Sequence, residues 1–258
     1  MAKIYFETNA SACDMGIQIA FDTEGVVVGT FRDPSGRPIH TIKTGSGLKA
    51  IGGQTEGFLE SVEPVISELV SANPKCVPDP EEPTISLDEL EQYFPAGTYS
   101  FEGTAADGTK YRDTADLTYT VPDGPVLLSP NGDVDLDPDN SIEISWEPVT
   151  TTIPGLTPTG GPARVDIAGY QLIVYDANAG EAPPEFNVVV PPGETALAVP
   201  VEFLQPDTEY KYEVLAIETG NNQTISEGSF ATGPTTTLPT ETPSNAAKAS
   251  APGAASSR

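Results

Sequence analysis

Positive charge is what this chain most lacks. Lys and Arg number 12 against 38 Asp and Glu, for a formal net charge of −26 over 258 residues. Such a surface repels a phosphate backbone and an anionic membrane alike, so nucleic acid is a poor partner. No apolar run approaches the ~18 residues of a membrane span, so no membrane insertion is expected. His40 is the only histidine and Cys13 and Cys76 are the only cysteines. Thiolate or imidazole zinc spacings are therefore absent. The first residues run directly into an alternating strand pattern without an apolar leader core; either the protein is not secreted by that route or a leader has been removed, and the second is the expectation. Heptads and long internal repeats are also missing.

Glycine and proline, by contrast, are plentiful at 24 and 26 residues. That composition suits many short strands joined by tight turns. The clearest strand lies in 141–149, where Ile142, Ile144 and Trp146 alternate with Glu143, Ser145 and Glu147. Trp146 is the sole tryptophan and is expected to be the central core residue of its domain.

Taken in order, residues 1–122 read as an N-terminal β-sandwich-like domain. Ile17, Ile19 and Phe21 share one strand face, and Asp33-Pro34 with Gly36 marks a turn. Residues 45–53, rich in glycine, lack the Gly-Lys-Ser/Thr ending of a phosphate loop and read as turns joining strands, with a short strand over 48–51. Residues 64–75 have partly helical spacing. The prolines of 74–83 read as an exposed loop. Ser86 and Glu89 form a capping box that opens one short helix over 87–94. Asp107-Gly108 is a hairpin turn. A second domain spans 124–233, with a long exposed connection over 150–168. Residues 234–258, nearly devoid of large apolar side chains, are expected to be a disordered Thr/Pro/Ala/Ser tail. The fold class is all-β.

The second domain resembles a fibronectin type III module. The residues that carry the resemblance are Trp146 with Pro148, Gly169-Tyr170, and Leu204-x-Pro206-x-Thr208-x-Tyr210, with Ala216 and Thr232 in accord. The resemblance implies an immunoglobulin-like sandwich in which Tyr210 forms a tyrosine corner. More loosely, the chain is similar to bacterial proteins, without an assigned activity, that pair an N-terminal β-domain with such a module. Its cues are Asp14-x-Gly16-Ile17, Phe94-Pro95-x-Gly97-Thr98-Tyr99 and 223–227. That similarity implies a fold pair and a bacterial source.

Candidate sites are few. Asp133, Asp135 and Asp137 would share one side of an extended stretch and form a weak calcium candidate, although the run lacks EF-hand spacing; a polar loop is the simpler reading. Calcium is thus the one cofactor considered. Cys13 and Cys76 are a disulfide candidate, with two separate buried thiols as the other reading. A Cys13–His40 dyad lacks an orienting third group, and a surface histidine is the simpler reading. Loops carry binding in such modules; 150–168 is expected to form a large exposed loop, and 220–223 sits where the last hairpin turns. The expected function is a non-catalytic extracytoplasmic binding or spacer protein with a protein or polysaccharide ligand. The alternatives are an accessory carbohydrate- or calcium-binding module of a surface enzyme system, and a carboxylate-based enzyme in the N-terminal domain.

Overall fold

Strict alternation builds the first strands. β1 (Ala2–Asn9) buries Ala2, Ile4, Phe6 and Thr8 and turns Lys3, Tyr5, Glu7 and Asn9 the other way. β2 (Asp14–Val26) folds back on it in antiparallel register, with Phe6 opposite Ile17. The computed structural model describes residues 1–136, 141–156, 163–180 and 183–234. The tail expected over 234–258 therefore lies almost wholly outside the described residues, as does Asp137.

β3 (Val28–Arg32), β4 (Pro38–Lys43), α1 (Ser46–Ala50), β5 (Gln54–Glu60), β6 (Val65–Ile66) and α2 (Ser67–Ala72) follow. After them come β7 (Thr84–Ile85), α3 (Leu87–Tyr93), β8 (Gly97–Thr104) and β9 (Lys110–Leu117). The second unit holds β10 (Leu127–Ser129), β11 (Ile142–Trp146), β12 (Ile167–Asp176), β13 (Glu185–Val190), β14 (Ala196–Val199), β15 (Glu209–Glu218) and β16 (Gln223–Ala231). The chain is all-β, with short helices in its first unit. α3 starts at the expected capping box: Ser86 Oγ accepts from Glu89 N, and the Glu89 carboxylate accepts from Ser86 N.

Each unit is two layers. In the first, β4-β3-β8-β9 packs on β1 and β2 around Phe6, Met15, Phe31, Tyr99 and Phe101. In the second, β10-β11-β14 packs on β13-β12-β15-β16 around Trp146, Tyr170, Leu172 and Val214. Burying side chains of this size stabilises by roughly 1.5–3 kcal/mol each. The second unit has the fibronectin type III-like arrangement, three strands facing four. Its tyrosine corner is present: the Tyr210 hydroxyl accepts from Gln205 N at 2.8 Å. Tyr170 does the same for Val149 N at 2.8 Å, and Trp146 lies 5.4 Å from the Tyr170 ring.

The two units are not beads on a linker. β1 pairs in parallel with β16, with Glu7 opposite Gln223, so one nine-stranded sheet runs through both. Three expectations change. Residues 48–51 are not a strand: 46–50 wind into α1, and Gly53 N bonds to Leu48 O at 2.8 Å to close the turn. The connection over 150–168 is not simply exposed. Ile153 and Leu156 are buried in the first unit's core, Thr152 is buried beside them, and Ile153 N bonds to Val121 O at 3.0 Å. Their two apolar side chains find cover only by crossing to the neighbouring unit, which a Thr/Pro/Gly composition hides. The 220–223 turn is only partly exposed: Gly220 is open, while Asn222 is 2% exposed and points into the joint.

Candidate functional site

Asn222 sits where the two units meet and satisfies backbone from both. Its Oδ1 accepts from Phe6 N at 2.9 Å, and its Nδ2 donates to Thr118 O at 2.9 Å and Thr120 O at 3.0 Å. The turn that presents it is fixed by Glu218, whose carboxylate accepts from Gly220 N and Asn222 N. Thr224 Oγ1 adds a bond to Pro122 O at 2.6 Å. Every one of these atoms lies at least a hundred residues from its first-unit partner in sequence, so no local pattern could have signalled them.

Beside this junction, the face of the nine-stranded sheet turned away from both cores carries acids. Glu7 of β1, Glu60 of β5 and Glu63 bring carboxylate oxygens within 4.8 Å of one another. Gly16, opposite Glu7, makes room: a Cβ there would lie 2.8 Å from Glu63 Cγ. Gln18 Nε2 donates to Glu60 at 3.0 Å, and Gln223 Nε2 donates to Glu7. Among the described residues none of the three acids has a Lys or Arg partner. Burial, then repulsion by Asp14, Glu7 and Glu60, pushes Glu63 up to about 8. Burial and Glu82 raise Asp14 to about 6. Glu7 is raised by burial in spite of Gln223, and Glu213 by burial in spite of its bond from the Tyr175 hydroxyl. Burial next to Glu7 and Glu60 lifts Tyr5 to about 12. The three glutamates could bracket a hard divalent cation, though a calcium shell takes about six to eight oxygens.

A second feature is a groove of about 510 Å³ between the units, walled by the β1–β2 turn, the end of α2, the 123–124 link and β16. An apolar recess of about 370 Å³, lined by Leu69, Val126, Ile153 and Pro154, opens next to it.

The residues singled out in the sequence fall elsewhere. Asp133 and Asp135 are exposed and join no group of three acids among the described residues, and Asp137 lies outside them. Trp146, Tyr170, Leu204 and Tyr210 are buried in the second core, while Pro206 is exposed at the corner. Cys13 and Cys76 are bonded, with Cα atoms 5.8 Å apart. His40 stands on β4 opposite Phe31, and the Cys13 sulfur is taken up in the bond to Cys76. The acidic cluster was missed because Glu7 lies some fifty residues before Glu60 and Glu63 and meets them only through the sheet. Its one local signal was the glycine at position 16, beside the apolar Met15 and Ile17 of β2.

The strand order and tyrosine corner define the second unit as a fibronectin type III-like sandwich. No family model matches the chain, and no curated protein sequence matches it. Among solved structures, the chain is similar to the chicken CNTN1 FN1-FN3 domains at 13% identity, over 90% of this chain and 66% of that one, with a TM-score of 0.34. It is also similar to an fn3 domain of human collagen alpha-1(XX) chain at 22% identity, over 47% and 90% of the two chains, with a TM-score of 0.29. The third fibronectin III domain of human KIAA0343 protein matches at 16% identity over 48% and 93%, with a TM-score of 0.32. No described helix is long and apolar enough to cross a membrane, and a disulfide is compatible with an extracellular setting.

Proposed function

We propose that this chain is a non-catalytic, extracytoplasmic binding or spacer protein of a bacterium, whose two sandwiches act as one stiff body. The observation that carries this reading is the shared sheet, in which β1–β16 pairing and the buried Asn222 remove the freedom that a two-domain linker ordinarily has. A stiff joint holds whatever lies at either end at a fixed distance and angle. It also makes any surface spanning the joint permanent, which lowers the ordering cost of binding there. The disulfide fits an oxidising compartment. The bacterial source rests on the sequence resemblance given above. The test is location. In source cells the protein should be cut by protease added to intact cells, and Cys13 and Cys76 should resist thiol reagents until reduced. A protein that stays protected inside the cell with two reactive thiols would overturn the reading.

A further inference from the structure

The groove at the joint exposes a strand edge. β1 follows β16 in parallel only as far as Asn9 opposite Ile225, and its last bond is Ala10 N to Ile225 O at 3.0 Å. Then it is pulled away. The Ala10 carbonyl, which a continuing strand would offer to the Glu227 amide, accepts instead from Asn73 Nδ2 at 3.2 Å. Val77 N bonds to Ser11 O at 2.8 Å, and Cys13 is tied to Cys76, so the turn is fixed in the diverted course. The edge of β16 is next covered at Ala231, whose carbonyl accepts from Val134 N at 2.8 Å. Backbone groups alternate sides along a strand. Glu227 and Ser229 therefore direct their N–H and C=O the same way as Ile225 and Ala231, and among the described residues nothing pairs with them there. Both residues are exposed, and the groove meets this gap at Glu227.

An unpaired edge in a groove is a template for an added strand. The charge selects which strand. Glu227 lines the groove and Asp123 lies half-buried in its wall, against the single cation Lys75, on a chain of net charge −26. An acidic segment would be repelled and a basic one drawn in. The neighbouring recess, with Val126, Ile153 and Pro154, suits the apolar side chains that alternate with the basic ones.

We propose that this groove takes an extended peptide with alternating basic and apolar side chains, which adds to β16 at Glu227–Ser229 in line with β1. The proposal deepens the binding reading and names its partner class. The probe is an acetylated, amidated octapeptide of alternating lysine and valine, titrated into the full chain and followed by amide NMR. Saturable binding in the micromolar to low-millimolar range is expected, weakening as salt rises. The largest shifts and slowed exchange should fall on the Glu227 and Ser229 amides. The same peptide N-methylated on alternate amides should bind at least ~10-fold more weakly, a comparison that leaves the protein untouched. Ser229→Pro, which removes one edge donor without touching the β15 ladder, should have a similar effect. If the N-methylated peptide binds equally well, if the shifts centre on Glu7, Glu60 and Glu63 instead, or if no binding occurs, the site is refuted. The extracytoplasmic reading stands or falls separately, on the protease and thiol experiment.

Discussion

Replacing Glu63 with glutamine should stabilise this protein, and the gain should depend on pH. In the folded state burial and the neighbouring acids hold the Glu63 carboxyl protonated to about 8, against an ordinary value of 4.5 in the unfolded chain. Because the folded pKa is the higher one, the stabilising contribution of the proton is fully present below ~4.5. It is lost progressively as pH rises from ~4.5 to ~8 and is constant above that. Glutamine mimics the protonated form at every pH. The variant should thus match the parent near pH 4.5, pull ahead through neutrality, and reach its full advantage near pH 8.5. A rise from 4.5 to about 8 corresponds to roughly 5 kcal/mol between protonation states. Glu63 is only half-buried and water and salt screen its neighbours, so about 1–2 kcal/mol should appear in folding. For a chain of this size that is a Tm gain of roughly 2–8 °C at pH 8.5. Thermal and urea melts of parent and variant across pH 4.5–8.5 measure it. A gain that is equal at all pH values, or a loss at pH 8.5, would refute the clustered-carboxylate explanation.

Other perturbations follow from the same geometry. Asn222→Ala leaves Phe6 N and two carbonyls of the first unit without partners in a buried joint, and should cost about 2–4 kcal/mol in urea unfolding. Removing the Cys13–Cys76 bond by paired alanine substitution opens a loop with a separation of 63 residues, and should lower stability by about 2–4 kcal/mol. Tyr210→Phe deletes the hydroxyl that accepts from Gln205 N and should cost about 1–2 kcal/mol, with the ring's packing on Phe230 retained. Near-zero changes in these melts would contradict the respective contacts.

What could be read in advance was local. Trp146 and Tyr210 announce a sandwich because each sits in a short motif whose neighbours obey strand alternation. The capping box at Ser86 and Glu89 spans one helical turn, so it too is visible in order. The joint is different. Glu7 meets Gln223 across nearly the whole chain, and a parallel pairing of that range leaves no trace in composition or period. Ile153 and Leu156 looked like members of an exposed loop because Thr, Pro and Gly surround them, yet their burial belongs to the other unit. Asn222 and Glu218 are polar turn residues by sequence and buried connectors in the fold. The acidic cluster has the same cause: Glu7 on β1 meets Glu60 and Glu63, at and just past the end of β5, only once β5 pairs with β2.

Hydrogen exchange of the Ala10 amide addresses the shared sheet most directly. Ala10 N bonds across the joint to Ile225 O at 3.0 Å, and among the described residues no first-unit group accepts from it. A continuous sheet predicts protection comparable to that of the β15–β16 interior, lost together with it in Asn222→Ala. Exchange at the rate of an unpaired surface amide, with the second unit's strands still protected, would show two separate sandwiches and contradict the account.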